Sequence, residues 1–290
     1  SILDNMKINQ SFIKKAFGIA LISLVFIGCQ NMDRPELGDY PKDANAPGGP
    51  LKFYVAFDGA TTNSLMNAVD SVRAKFPIDN PLTSIVGISG KALKGENYKY
   101  IKYANANDFV NTAGSFTIAF WEKKGDFKTE HIFSLPAING YHWSGASMFL
   151  LMEGSVNDPI AKLFVKDSSG EKWFEWVPWA STGAVTGIYD GGWHHLAFVY
   201  DSTTSVMTLY VDGAIKTTSS WSGHGAISLE PSKITSLKIG AGPQEFSQDD
   251  INNKADDWLK NSWTGGLDQF RMYSTPLTAS EVSVLYTKKK

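Results

Sequence analysis

From Leu51 onward, apolar residues recur at every second position in short runs, and turn residues separate the runs. That period belongs to strands, whose successive side chains leave on opposite faces. Ser115–Glu122 places Phe116, Ile118 and Phe120 on one face and Thr117, Ala119 and Trp121 on the other. Trp193–Tyr200 is apolar on both faces, which predicts a central strand covered on both sides. Val206–Val211 sends Met207, Leu209 and Val211 inward, and Asp212-Gly213 then makes a tight turn into Ala214–Thr217. Further strands are expected at 51–57, 84–93, 98–103, 146–152, 160–166, 171–177, 234–240 and 266–273. Only the end reads as helix: Thr278 to Glu281 has the spacing of a capping box, and Val282, Leu285 and Tyr286 share a helical face. The pattern predicts an all-β antiparallel sandwich with a short C-terminal helix, and no internal repeat divides it.

The first 50 residues follow another pattern. Lys7, Lys14 and Lys15 precede the apolar run Ala16–Ile27, which ends at Gly28-Cys29. A basic start, an apolar stretch and a small residue before a cut make a secretory signal. The stretch is short of the ~20 residues of a membrane span. Phe26-Ile27-Gly28-Cys29 resembles a bacterial lipobox. The resemblance implies lipidation at Cys29 and stable anchoring by several acyl chains. Residues 30–50 carry Pro, Gly and Asp without periodicity and read as a tether. The expected layout is a signal over 1–28, with residues 1–5 standing upstream of Met6, a lipidated tether over 29–50, and one domain over 51–290. Asp33 and Glu36 resemble the acidic export tag of Bacteroidetes lipoproteins, which implies the outer membrane with the domain facing out.

Composition narrows the chemistry. At 43% hydrophobic and 19% charged residues, the chain can bury a sizeable core. A net charge of −2 argues against a general nucleic-acid binder, which needs a basic face. A single Cys excludes an intrachain disulfide and a cysteine metal cluster. Nine Trp within 13% aromatics direct attention to stacking surfaces.

Seven short motifs in a fixed order then resemble the laminin-G-like, concanavalin A-like domains. They are Phe57-Asp58-Gly59, Ser89 to Leu93, Phe116 to Trp121, Gly192 to Ala197, Leu209 to Gly213, Gly265 to Tyr273, and Pro276 to Val282. The resemblance implies a jelly-roll sandwich of two curved sheets. It also implies a structural Ca²⁺ held by Asp58 and Asp268, with Gln269 where the family usually has Glu. Ca²⁺ takes six to eight oxygen ligands, so loops and water would complete the shell.

Glycoside hydrolases of this fold carry Glu-x-Asp-x-Glu on one strand, because alternate positions share a face. No such triplet exists here, and Glu175 stands alone among Trp173, Trp176 and Trp179. His194 and His195 are strand neighbours, point to opposite faces and cannot jointly chelate one metal. The expectation is a protein that binds without cutting, with a hydrolase of another mechanism as an alternative. Sugar sites pair an aromatic platform with a few polar groups. Two stretches fit: the loop with Asn139, Tyr141, His142 and Trp143, and the strand with Trp173, Glu175 and Trp179. Two functions stay open. One is capture of polysaccharide or oligosaccharide for an outer-membrane uptake system. The other is an accessory subunit docked on a SusC/SusD-type TonB-dependent importer, of peptides or other cargo, without sugar binding of its own.

Overall fold

The computed structural model describes residues 49–58, 82–104, 106 and 108–289. Cys29, the signal and nearly all of the tether lie outside the described residues. Two antiparallel sheets account for the domain. The first runs β12 (Ala214–Ser220), β11 (Val206–Val211), β10 (Trp193–Asp201), β5 (Phe116–Lys123), β14 (Gly266–Tyr273), β3 (Lys91–Lys94), β2 (Thr83–Val86). β1 (Leu51–Val55) also pairs with β14, beyond the stretch that β3 occupies. The second runs β4 (Ile101–Tyr103), β13 (Leu237–Ile239), β6 (Glu130–Pro136), β7 (Ala146–Gly154), β8 (Pro159–Lys166), β9 (Glu171–Trp176).

Alternation decides what meets between the sheets. Phe116, Ile118 and Phe120 of β5 join Leu196, Phe198 and Tyr200 of β10 on the inner face of the first sheet. Met148, Leu150, Ala161, Leu163, Phe174 and Trp176 supply the facing layer. Trp176 meets Phe198 edge-on across the gap, at 5.4 Å between rings. All of these side chains are buried, so truncating a large one costs about 3–5 kcal/mol.

Most expected strands are present with shifted ends, and three differences are instructive. The run 84–93 is two strands, because Gly87 and Gly90 close a turn between β2 and β3 with Gly87 N–H donating to Gly90 O at 3.0 Å. β6 escapes the period-two reading, since it is buried on both faces and polar residues interrupt its apolar ones. Glu130 takes the buried Lys124 ammonium at 2.7 Å, and Ser134 Oγ donates to Ala241 O at 2.9 Å. Two short helices join the expected one: α1 (Phe109–Thr112) and α2 (Gln248–Asn253). The last helix, α3 (Ala279–Lys288), starts as its sequence predicts. Thr278 Oγ1 accepts from Glu281 N–H at 3.2 Å, and Glu281 Oε2 accepts from Thr278 N–H at 2.7 Å.

α3 lies on the outer face of the first sheet. Val282 is buried with Ala119, Ala197 and Tyr210, and Tyr286 stacks on Trp121 at 5.5 Å. The hairpin between β11 and β12 is fitted to it: Asp212 and Gly213 both take positive φ, and a Cβ at Gly213 would stand 3.0 Å from the Tyr286 ring.

Candidate functional site

The outer face of the second sheet carries a different arrangement. Pairing sets Leu151, Lys162 and Glu175 in one row across β7, β8 and β9, and Phe149, Phe164 and Trp173 in the next. Phe164 stands 4.9 Å from Phe149 and 5.0 Å from Trp173, so the second row is a continuous aromatic floor.

Two loops bring further aromatics over that floor. Trp143 sits in the loop between β6 and β7, where Gly140 near the tip and Gly145 at the exit take the positive φ that the reversal needs. His142 braces it: its ring stacks on Phe164 at 5.0 Å, and its nitrogens reach Ser144 Oγ and Glu171 Oε2, both at 2.7 Å. Trp258 comes from the excursion between β13 and β14. Ser247 and Asp250 form a capping box at the start of α2, and Lys260 ties back to Asp250 at 2.8 Å. Trp258 stands 6.0 Å from Trp143 and 6.4 Å from Trp173, and covers the buried His131 in a near-parallel stack at 6.4 Å. Burial holds His131 neutral, pushing its pKa down to about 3.

Together Trp143, Trp173 and Trp258 line an open cleft of about 420 Å³, with Leu151 and Thr129 in its wall and Glu153 and Lys162 as polar groups. Glu153 Oε1 lies 2.5 Å from the Lys162 ammonium, and Glu175 Oε1 lies 3.8 Å from it on the other side. Lys162 also stands 6.0 Å over the Trp179 ring. Trp143 is 58% exposed and Trp179 73% exposed, unusual for side chains of that size. Flat aromatic surfaces beside charged hydrogen-bonding groups can stack on a sugar's C–H face and bond its hydroxyls.

Of the expected site residues, Trp143, Trp173, Glu175 and Trp179 gather around Lys162 from separate parts of the chain. His142 stands beneath Trp143 as a support. Tyr141 turns elsewhere: its hydroxyl donates to Glu230 Oε2 at 2.6 Å and Lys166 lies 5.1 Å over its ring. Asn139 is exposed at the tip of the same loop. Sequence reasoning missed Glu153, Lys162 and the site position of Trp258. Lys162 had a signal, a lone polar residue at an outward position of the apolar run Pro159–Val165. Trp258 had only its acidic loop.

Asp58 and Asp268 meet at the turn between β2 and β3. Asp58 Oδ1 accepts from Lys91 N–H at 2.7 Å, and Asp268 Oδ2 accepts from Ile88 N–H at 2.9 Å. A Cβ at Gly87 would lie 2.5 Å from Asp268 Oδ2, and one at Gly90 would lie 2.3 Å from Asp58 Oδ1, so both glycines make room for carboxylates. Burial raises the Asp268 carboxyl to about 7 against the Ile88 hydrogen bond, and the like charge of Asp58 adds to the rise. The other oxygen, Asp268 Oδ1, is buried without a protein partner. These features fit a hard cation, although among the described residues no three acidic, His or Cys side chains cluster around one point.

Comparison with known proteins agrees with the fold. The sequence profile of the concanavalin A-like lectin/glucanases superfamily matches residues 95–283. Domain 4 of AbnA, a GH43 extracellular arabinanase from Geobacillus stearothermophilus solved in complex with arabinotriose, is similar over 82% of this chain and 98% of its own, with a TM-score of 0.53 and 16% identity. The botulinum neurotoxin serotype C1 binding domain is similar over 83% of this chain, with a TM-score of 0.56 and 11% identity. The binding domain of botulinum neurotoxin DC, solved in complex with SialylT, is similar over 83% of this chain, with a TM-score of 0.54 and 9% identity. The matches span about half of each toxin chain (52%), and at these identities the likeness is one of fold. No curated protein sequence matches the chain.

Proposed function

We propose, for a chain that belongs to the concanavalin A-like lectin/glucanase superfamily, that the outer face of its second sheet binds glycan without cleaving it. The observation that carries this reading is the open cleft whose three tryptophans surround an ion-paired lysine. Glu153 and Glu175 both lean on Lys162, which suits them to accept hydrogen bonds from sugar hydroxyls. Two carboxylates and one ammonium leave the site net negative, so it favours neutral over acidic glycans. Lipidation at Cys29 would hold the domain at the outer membrane, beside an uptake system that consumes what it captures. Weak affinity suffices there, because tethering raises the local concentration of captured ligand.

Isothermal titration of the chain against arabinan, xylan, mannan and mixed-linkage β-glucan tests the reading. Binding by one of them, lost in Trp143→Ala with an unchanged Tm, is the expected result. No heat with any glycan, together with co-purification of an importer pair, would favour the accessory-subunit function instead. Release of reducing ends by the wild type would overturn the non-catalytic reading. Cys29→Ala should move the protein from the membrane to the soluble fraction, and retention at the membrane would refute the anchor.

The same proposal places Ca²⁺ between Asp58 and Asp268, with backbone oxygens and water completing the shell. The ion would supply charge neutralisation for a buried carboxylate and tie the end of β1 to the start of β14. It has no part in sugar binding.

A further inference from the structure

A second and larger cleft, of about 710 Å³, opens beside the tryptophan cleft. Thr129 lines both. The excursion between β13 and β14 also walls both: Trp258 faces the first, while Phe246, Ile251 and Asp256 face the second. Asn261 fixes this shared ridge, its side-chain amide donating to Thr129 O at 2.8 Å and to Asp256 Oδ1 at 2.6 Å. Apolar surface is available in the second cleft as well. Phe127 is 47% exposed and Ile251 37%, and Tyr98 meets Phe246 edge-on at 4.8 Å. Asn97 and Lys128 stand among them with free access to solvent. Each cleft alone falls in the range of roughly 300–1,000 Å³ that one small ligand fills.

We infer that the two clefts form one extended site, and that the ligand is an oligosaccharide or polysaccharide chain crossing the Thr129 ridge, not a terminal sugar. This rests on the glycan reading of the first cleft. A chain bound through interior units needs a groove open at both ends, with apolar platforms repeated along it. Tryptophan on one side of the ridge and Phe127 with Tyr98 on the other provide that repetition. Binding the second segment is then intramolecular, so affinity rises with chain length until both clefts are filled.

The test titrates the full chain with graded oligosaccharides, from disaccharide to octasaccharide, cut from whichever of the four polysaccharides above binds best. Affinity is expected to climb at least tenfold along the ladder and then level off. Phe127→Ala should leave the shortest ligands unaffected and bring the longest down to their affinity. Phe127 is exposed enough for Tm to stay unchanged, and Asn97→Ala provides a second variant on the polar side. Equal affinity for short and long ligands, all dependent on Trp143, would overturn the extended site and leave the first cleft intact. Long-chain affinity unchanged in both second-cleft variants would do the same. Absence of binding at every length would overturn both readings.

Discussion

Each sheet turns aromatic residues away from the shared core, and the two outer faces are finished in opposite ways. On the first sheet, α3 lays Val282, Leu285 and Tyr286 over Ala119, Trp121, Ala197 and Tyr210, and Trp121 is left 1% exposed. On the second, loop aromatics take the place of a helix: His142 and Trp258 pack on Phe164 and Phe149, which are fully buried, while Trp143 stands 58% exposed above them. Burial of an aromatic side chain stabilises a fold by a few kcal/mol, so leaving Trp143 and Trp179 largely exposed forgoes stability. The same residue types therefore serve the fold on one face and stand ready for a partner on the other.

Exchanging one tryptophan from each face breaks the comparison most directly. Trp121→Ala should cost about 3–5 kcal/mol, a fall in Tm on the order of 10 °C, without changing glycan affinity in the protein that remains folded. Trp143→Ala should do the reverse, with a stability change within ~0.5 kcal/mol and glycan binding lost. Chemical denaturation and titration on both variants decide it. Equal destabilisation would mean that Trp143 is part of the packing after all.

Metal removal comes next in size, and it belongs to the covered sheet. If Asp58 and Asp268 hold Ca²⁺, saturating the ion to a hundred times its Kd adds about 2.7 kcal/mol of stability. EDTA should lower the melting temperature, and Asp268→Asn should abolish that response. Glycan affinity of the folded protein should stay the same. A melting curve indifferent to EDTA would remove the ion from the account.

Acid separates the faces through one histidine on each. His195 lies beneath α3 against Trp121, and His131 lies beneath Trp258. Burial pushes both pKa values down to about 3, while an unfolded histidine titrates near ~6.5. Between those limits the unfolded chain binds more protons than the folded one. Stability from these groups is therefore complete above ~6.5 and is lost as pH falls toward 3, by up to roughly 1.4 kcal/mol per pH unit for each. Trp258→Ala should let water reach His131 alone and return its pKa toward ~6.5. Tyr286→Ala should do so for His195 alone. Imidazole proton shifts followed by NMR across the acid range read both. His131 and His195 both titrating near ~6.5 in the wild type would show that neither face seals.

Much of this division was legible in the sequence, and the part that was not has a common cause. Alternation put Trp173 and Glu175 on one face of β9 and Phe174 and Trp176 on the other, because strand geometry leaves only two faces, and the fold made the second of them the core. The capping box announced α3, since its bonds lie within four residues. Which outer face α3 would cover depends on β5 and β14 meeting beside β10 across roughly 150 residues of chain, and no local pattern carries that. For the same reason Glu153, Lys162 and Glu175 came together only in the fold. β6 was hidden because burial on both sides erases the alternation that marks an exposed strand. Tyr141 and Trp143 were indistinguishable as loop aromatics. What separates them is Glu230, 89 residues away, which takes the Tyr141 hydroxyl.

The smallest effect concerns where the uncovered face ends. Trp179 follows β9, is 73% exposed, and meets the cleft only through Lys162, 6.0 Å from its ring. So little packing surrounds it that Trp179→Ala should change stability by less than ~0.5 kcal/mol. Its effect on binding depends on whether a sugar reaching Lys162 also touches the indole. A ring that stacks on ligand while a cation backs it should contribute about 1 kcal/mol, a loss of several-fold in affinity, well short of that in Trp143→Ala. Lys162→Met separates the two contributions, because it removes the charge and keeps most of the side-chain volume. If Trp179 acts through the cation, Lys162→Met and the double variant lose the same affinity. If it stacks independently, the double variant loses more than either single one. Unchanged affinity in Trp179→Ala would end the binding surface at Lys162, and a lowered Tm would assign Trp179 to packing instead.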